Sequence, residues 1–100
     1  MVEKDILGLT VSTLDNATRK QLGLPDSAEG LLVKEVDESA EAFEKGIRAG
    51  DLITEAGQQK VASIKDLKDR ISDAKEAGRK SLLLLVRRGG EPRFVAVSIE

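Results

Sequence analysis

The chain has 100 residues, the usual size of one domain, with 40% hydrophobic residues, 34% charged residues and a formal net charge of −2. These values are ordinary for a globular protein with one compact core, and with only two aromatic residues that core must consist of aliphatic side chains. The near-neutral charge and the absence of Tyr and Trp argue against a nucleic-acid-binding domain, so we predict no nucleic-acid partner.

Cysteine and histidine are both absent, which excludes several kinds of site. No disulfide bond, thiolate zinc site, Ser-His-Asp triad or Cys-His pair can form from these side chains. A carboxylate pair remains possible as acid and base, but the acidic residues fall mainly on predicted helix faces and in turns, which favours solvated surface. We therefore predict no catalytic residue, no metal and no cofactor. The longest apolar run, Leu82 to Val86, is too short to cross a bilayer, so we also predict no membrane insertion.

The first elements in chain order are a strand and a short helix. Ile6 to Leu14 alternates apolar and small or polar residues, which predicts a single strand. Asn16 is predicted to cap a helix of one or two turns, which Gly23 and Pro25 bring to an end.

A second strand, from Leu31 to Val36, is predicted next, with adjacent leucines that indicate burial on both faces. Ser39 is a plausible N-cap for a helix from Ala40 to Lys45. A Gly-Asp turn then leads into a strand from Leu52 to Glu55, and a short strand around Lys60-Val61 follows.

The longest predicted helix begins after Ser63, its N-cap, and its apolar residues recur every three or four positions from Ile64 to Ala77. Ser81 to Arg87 reads as an apolar strand, Gly89-Gly90 as a hairpin turn, and Phe94 to Ile99 as the returning strand. The order β-α-β-α-β-β-α-β-β predicts an α+β fold with no internal repeat.

Two groups of residues favour purely structural interpretations. Gly46 and Gly50 are read as turn glycines without a functional role. Arg87, Arg88 and Arg93 cluster around the predicted hairpin, where a solvated tip is favoured over a partner-docking patch.

Gly8 lies between two leucines at a strand start, although glycine weakens a strand. Glycine reaches backbone angles closed to other residues and permits close approach, so the amides of Leu7, Gly8 and Leu9 are predicted to form a nest for an anion such as a terminal carboxylate. The following strand would offer its free edge to an extended peptide, with Leu67 and Ile71 of the long helix opposite. The alternative is that Gly8 is a β-bulge and the apolar residues are simply core.

Four stretches, in this order along the chain, resemble those of a PDZ domain of the kind attached to bacterial HtrA/Do-like serine proteases. They are Ile6-Leu7-Gly8-Leu9, Gly30 to Val36 with Ser39 to Ala42, Glu44 to Ile53, and Ser63 to Gly78, and the resemblance covers Ile6 to Ile99. It implies a compact, partly open β-barrel or sandwich of five to six strands capped by two helices, with the peptide-binding strand near the N-terminus. It also implies that residues 1–100 are one PDZ domain, the second and C-terminal one of a larger protease.

The resemblance further implies a peptide-binding groove. Its residues would be Ile6, Leu7, Gly8, Leu9, Thr10, Val11, Leu67, Ile71 and Ala74. In this interpretation the amides of Leu7, Gly8 and Leu9 receive the peptide carboxylate. Many eukaryotic PDZ domains carry a histidine at the helix position matched by Leu67, where it binds a ligand hydroxyl. The leucine here implies apolar ligand residues at the last and third-from-last positions.

The implied function is the capture of hydrophobic C-termini or unfolded segments for a linked serine endopeptidase, in protein quality control in the bacterial periplasm. One alternative is a docking, oligomerisation or gating domain of the same protease with a poorly accessible groove, whose partners would be neighbouring domains or subunits. Another is a PDZ module of a different bacterial protease or of a secretion component.

Overall fold

The computed structural model describes residues 2–25, 28–88 and 91–99, and for residues 2–5 it describes the backbone. The elements of these residues are β1 (Val2–Ile6), β2 (Leu9–Thr13), α1 (Asn16–Gln21), β3 (Leu31–Val36), α2 (Glu41–Glu44), β4 (Leu52–Ala56), β5 (Gln59–Lys60), α3 (Ile64–Glu76), β6 (Ser81–Arg88) and β7 (Glu91–Ser98). The turn predicted at Gly89-Gly90 lies outside the described residues.

The strands form one antiparallel sheet in the order β1-β2-β3-β4-β6-β7, with β5 beside β4. Its longest pairing joins β6 to β7, from Ser81 opposite Ser98 to Arg88 opposite Glu91. An open sheet with helices packed on it is the α+β arrangement predicted from the sequence, and that prediction is confirmed.

The core is aliphatic, as the composition predicts. Strands β2, β3, β4 and β6 and helix α3 each contribute at least one side chain with no exposed surface, namely Val11, Val33, Ile53, Leu84 and Leu67. These side chains belong to one continuous cluster, which includes Leu67 of α3 and Val11 of β2. Packing within this cluster therefore holds α3 against β2.

The predicted strand from Ile6 to Leu14 is confirmed over Leu9–Thr13 but is wrong at its start, because the chain turns at Leu7 and Gly8. Residues before the turn form β1, which pairs antiparallel with β2, and β2 starts only at Leu9. Among the elements of the described residues, β1 is therefore the one that the sequence pattern did not indicate.

Two predicted helix caps are displaced by one residue. Asp15, not Asn16, caps α1, because its side chain accepts a hydrogen bond from the Thr18 amide at 2.7 Å. Ala40, not Ser39, occupies the N-cap of α2, because Ser39 donates its amide and hydroxyl to the Asp37 carboxylate. At α3 the predicted Ser63 cap is confirmed, since its side chain accepts from the Asp66 amide.

Asp51 holds the turn before β4 against the end of β6. Only 2% of its surface is exposed, and its carboxylate accepts from Arg88 Nε at 2.7 Å, Arg88 Nη2 at 2.8 Å and the Arg48 amide at 2.9 Å. Burial alone would raise the pKa of Asp51, but these hydrogen bonds and the charges of Arg88 and Arg93 outweigh it and hold the pKa below its usual value. Arg88 is exposed to solvent, as predicted for the hairpin tip, but its guanidinium also donates to the Gly46 carbonyl and so ties the end of β6 to this turn.

Candidate functional site

The site is built around the two-residue turn between β1 and β2. Ile6 pairs with Leu9, and both residues between them have a positive φ, 55° at Leu7 and 79° at Gly8. Two successive left-handed residues in a two-residue loop are the pattern of a type I′ hairpin turn, which usually carries Asn-Gly or Asp-Gly. A left-handed backbone is unfavourable for leucine by about 1–2 kcal/mol.

Gly8 is required at this turn for a second reason. A Cβ atom placed on it would lie 2.4 Å from the Cβ of Ala40, so no larger residue fits without movement of the chain. Its carbonyl accepts a hydrogen bond from the Asp37 amide at 2.9 Å. The turn is thus held directly against the segment that joins β3 to α2.

A cavity of about 390 Å³ opens between this turn and α3. The residues that line it are Ile6, Leu7, Lys68, Ile71, Ser72 and Lys75. The three apolar ones belong to the core cluster or pack against it, while the two lysines and the serine are exposed. The cavity therefore combines an apolar wall with a basic one.

Three of the nine residues predicted for the groove meet at this cavity, namely Ile6, Leu7 and Ile71. Three others are core residues: Leu9 is 1% exposed, and Val11 and Leu67 have no exposed surface.

The remaining three predicted residues lie elsewhere. Gly8 forms the turn, and Thr10 lies in β2 opposite Glu35 of β3. Ala74 is buried and lines a different cavity, beside the β4–β5 turn and β6. The predicted set is thus spread over the turn, the core and two cavities.

Sequence reasoning missed Lys68, Ser72 and Lys75. Lys68, Ser72 and Lys75 follow one another on α3 at spacings of four and three residues, and Ile71 lies three residues after Lys68 and four before Lys75, so one side of the helix carries all four. The helical periodicity of 3.6 residues could have identified these polar residues, because Ile71 lies at the boundary between the apolar stripe that faces the core and the polar stripe beside it. The choice between the two stripes depends on how α3 packs.

The edge of β2 that was expected to be free is paired with β1. Val2 lies opposite Ser12 and Glu3 opposite Val11, while β3 pairs along the other edge of β2. Between Glu3 and Ile6 the register shifts, so that two residues of β1 oppose one of β2, as in a β-bulge. The expectation of a free edge is wrong in this structure, because the Leu7-Gly8 turn leads the chain back along β2.

The described ranges 2–25, 28–88 and 91–99 contain neither a metal-binding cluster nor a membrane-spanning helix. No group of three Asp or Glu side chains there is placed to hold a metal ion. Within the same ranges, no helix has the length and apolar character needed to cross a membrane.

The sequence profile of the PDZ domain family matches residues 6–99, which includes the turn, β2 and α3. The chain belongs to the PDZ domain family. Among curated relatives, a probable periplasmic serine endoprotease DegP-like from Bartonella henselae is 42% identical over 74 residues, which is 74% of this chain and 15% of that protein. The protein of the same description from Chlamydia pneumoniae is 34% identical over 94% of this chain and 19% of its own length. This PDZ domain thus spans less than a fifth of either relative.

Solved structures show the same fold. The PDZ domain of HtrA3 bound to a phage-derived ligand (FGRWV) superposes with a TM-score of 0.74 at 21% identity, covering 98% of this chain and 86% of that one. The HtrA-type protease AlgW with a decapeptide gives a TM-score of 0.69 at 24% identity, over 92% of this chain and 27% of that one. The predicted PDZ-like fold is therefore confirmed.

Proposed function

We propose that this PDZ domain binds extended peptide segments, with an apolar ligand side chain in the cavity between the Leu7-Gly8 turn and α3. The peptide backbone pairs with β2, and C-termini or unfolded segments with exposed aliphatic residues are the ligand class. Two solved HtrA-type structures of the same fold are described with a bound peptide, which supports this class of ligand.

The observation that carries the proposal is the conformation of Leu7. Asparagine would suit its left-handed φ of 55° better, and a hairpin turn gains nothing from an apolar side chain there. The leucine side chain lines the cavity together with Ile6 and Ile71. Unfavourable backbone conformations of this kind cluster at binding sites, where the side chain is needed in that place.

Pairing with β2 requires the peptide to displace the Val2–Glu3 part of β1, at the end of that strand away from the turn. The pairs that Val2 and Glu3 make with Ser12 and Val11 would be exchanged for pairs with the ligand. Burial of two aliphatic side chains contributes roughly 3 to 6 kcal/mol before ordering costs. Release of β1 offsets part of this gain, so we expect a dissociation constant on the order of micromolar or weaker.

We place the domain in an HtrA/Do-like serine endopeptidase of the bacterial periplasm, because its curated relatives are named periplasmic serine endoproteases. In such a protein a weakly bound substrate segment has a raised effective concentration at the linked active site. That residues 1–100 form one domain of a larger protein, and that this domain is the second PDZ domain, stay predictions.

One observation favours a second candidate function. Because β1 already pairs with β2, the chain itself covers the groove. A poorly accessible groove of this kind is expected of a gating or docking domain. In that case free peptides bind very weakly, and neighbouring domains or subunits are the partners.

The experiment is a titration with fluorescent C-terminal peptides, each compared with an amidated form, against two variants of α3. Ile71→Glu places a charge in the cavity wall, whereas Ile64→Glu makes the same change at another partly buried position of α3 outside the cavity. Leu67 is unsuitable for this test, because a carboxylate at a fully buried position would unfold the domain.

Circular dichroism checks that both variants are folded. We expect Ile71→Glu to lose peptide binding and Ile64→Glu to keep it. Equal affinities in the two folded variants would contradict the proposed site, and no binding by any peptide to the parent domain would favour the docking function.

A further inference from the structure

Strand β7 lies at one end of the sheet, and within residues 2–25, 28–88 and 91–99 it pairs with β6 alone. Phe94, in the middle of β7, has 66% of its surface exposed, although it is one of only two aromatic residues in the chain. An unpaired strand edge can add another strand, because its outward amides and carbonyls have no partner. Aromatic side chains are enriched at protein interfaces, so this edge is a candidate interaction surface.

Two hydrogen bonds at the end of β7 show which of its backbone groups face β6. The Ile99 amide donates to the Lys80 carbonyl at 3.0 Å, so it points towards the chain that enters β6. The Ser98 amide donates to the Glu41 carboxylate at 3.0 Å and therefore points away from β6. These two directions alternate along an antiparallel strand, and the pairing of β6 with β7 has no register shift. Every second residue before Ser98 therefore faces the open edge.

The residues that face the open edge are Ala96, Phe94 and Pro92. Pro92 has no amide hydrogen, and at the other end of the strand Ser98 already donates to Glu41. In the part of the chain that the structure describes, no hydrogen bond reaches the amide or carbonyl of Phe94 or Ala96 from this side. Phe94 and Ala96 thus each present one free donor and one free acceptor.

We propose that two copies of this domain associate by pairing their β7 edges antiparallel, about a two-fold axis that passes beside Val95. In this register Phe94 of each copy lies opposite Ala96 of the other copy. The amides and carbonyls of these residues then bond in reciprocal pairs, which satisfies both free donors and both free acceptors of each copy. The surface is separate from the cavity at α3, and the inference does not depend on the proposed peptide-binding function.

The neighbouring registers satisfy fewer of these groups. A shift that places Phe94 opposite Phe94 brings Ala96 opposite Pro92, which cannot donate to the Ala96 carbonyl. The opposite shift brings Phe94 opposite Ser98, whose amide already donates to Glu41. The edge is therefore complementary to itself in the register centred on Val95.

The side chains of the paired residues also match. Phe94 and Ala96 lie on the exposed face of β7, opposite to the buried Val95 and Val97. In the proposed register each Phe94 ring packs over Ala96 of the other copy, so a large side chain meets a small one on both sides of the axis. Small interfaces of this kind are weak and transient, so we expect a dissociation constant on the order of 100 μM.

The first test is sedimentation equilibrium of the parent domain from about 10 μM to about 1 mM, a range that includes this dissociation constant. Phe94→Glu places two carboxylates in the centre of the interface and should weaken self-association by about tenfold or more. Leu22→Glu is the matched control, because Leu22 is also an exposed large hydrophobic residue, at 43%, and lies outside β7. Ala96→Pro removes only an amide that faces away from β6, where an edge strand tolerates proline.

We expect the parent and Leu22→Glu to dimerise, and Phe94→Glu and Ala96→Pro to be folded by circular dichroism but monomeric. A parent domain that stays monomeric at about 1 mM would overturn the inference and leave the proposed peptide binding untouched. Equal weakening by Leu22→Glu and Phe94→Glu would also overturn it, because the effect would then reflect net charge. Dimers that persist in folded Ala96→Pro would overturn it as well, since another surface would then hold the copies together.

Disulfide cross-linking tests the register, because the chain has no native cysteine. Directly opposed residues of a hydrogen-bonded antiparallel pair have Cα atoms about 5.5 Å apart, within the range of a disulfide bond. We therefore expect a mixture of Phe94→Cys and Ala96→Cys to form mixed cross-linked dimers more readily than either variant forms dimers alone. Equal cross-linking of Phe94→Cys by itself would contradict this register and overturn the inference.

Discussion

Ile6 and Leu9 lie directly opposite each other across the Leu7-Gly8 turn, and this pair starts the ladder that places β1 along β2. The same turn supplies Ile6 and Leu7 to the cavity beside α3. The element that shapes the candidate site therefore also covers the strand edge next to it. Peptide binding and release of β1 are coupled by this geometry.

Leu7→Asn separates the role of Leu7 in the turn from its role in binding. Asparagine adopts the left-handed conformation readily, and Asn-Gly is the favoured type I′ pair. The substitution therefore relieves the unfavourable backbone conformation of the turn, and this offsets the packing energy that is lost with the partly buried leucine side chain. We expect the free energy of unfolding to stay within about 1 kcal/mol of the parent value. Peptide affinity should fall by about tenfold or more, because an aliphatic contact is lost.

The measurements are urea denaturation and peptide titration of the same preparation. An Asn variant that binds peptide as tightly as the parent would show that Leu7 does not belong to the site.

Gly8→Ala tests the close approach between the turn and Ala40. The left-handed φ and the contact at 2.4 Å both oppose a methyl group, so we expect a loss of about 2–4 kcal/mol in the free energy of unfolding. Gly23→Ala is the matched control, because its φ is 69° but nothing lies within 4 Å of an added Cβ. That control should lose only about 1–2 kcal/mol.

A double variant, Gly8→Ala/Ala40→Gly, removes the contact between the two Cβ atoms. Its loss in the free energy of unfolding should therefore fall to that of the Gly23→Ala control. Equal destabilisation by Gly8→Ala and Gly23→Ala would mean that Ala40 does not constrain the turn.

Asp51 makes stability depend on pH. Its pKa is lowered in the folded state, so its stabilising contribution is fully present above its unfolded value of about 3.9 and is lost as pH falls through the lower folded value. We expect Asp51→Asn to reduce the free energy of unfolding by about 1–3 kcal/mol at pH 7, and this difference to shrink progressively as the pH falls below about 3.9.

The measurement is urea denaturation at several pH values. Asp69→Asn, which breaks the exposed pair with Lys65, serves as the control and should change stability by less than about 1 kcal/mol. A difference between parent and Asp51→Asn that stays constant down to pH 2 would contradict the ionised pair with Arg88.

The parts of the fold governed by local signals were predictable from the sequence. The Ser63 cap and the spacing of apolar residues fixed α3, and the apolar strands β3, β4 and β6 were recognised from their composition. The caps at Asp15 and Ala40 were misplaced by one residue, because several neighbouring polar residues compete for the same backbone amides. Which of these polar residues becomes the cap depends on the backbone conformation around the start of the helix.

Strand β1 and the helix side of the site were not predictable in the same way. The usual Asn-Gly signal of a type I′ turn is absent, because Leu7 occupies the first position of that turn. On α3, the difference between Leu67 in the core and Lys68 at the cavity is a rotation of one residue, which only packing against β2 decides. Both errors concern residues of the candidate site. There the local sequence preference does not match the conformation that the surrounding structure imposes.

The most direct test of peptide pairing with β2 is a disulfide bond that holds β1 reversibly against β2. Val2 and Ser12 are cross-strand partners, and the chain has no native cysteine. Directly opposed residues of antiparallel strands have Cα atoms about 4.5–5.5 Å apart, which is within the range of a disulfide bond. Val2→Cys/Ser12→Cys should therefore hold β1 against β2 when oxidised and release it when reduced, with each single variant as a control. We predict that the oxidised domain does not bind peptide and that reduction restores binding; equal affinity in the two oxidation states would contradict pairing of the ligand with β2 in place of β1.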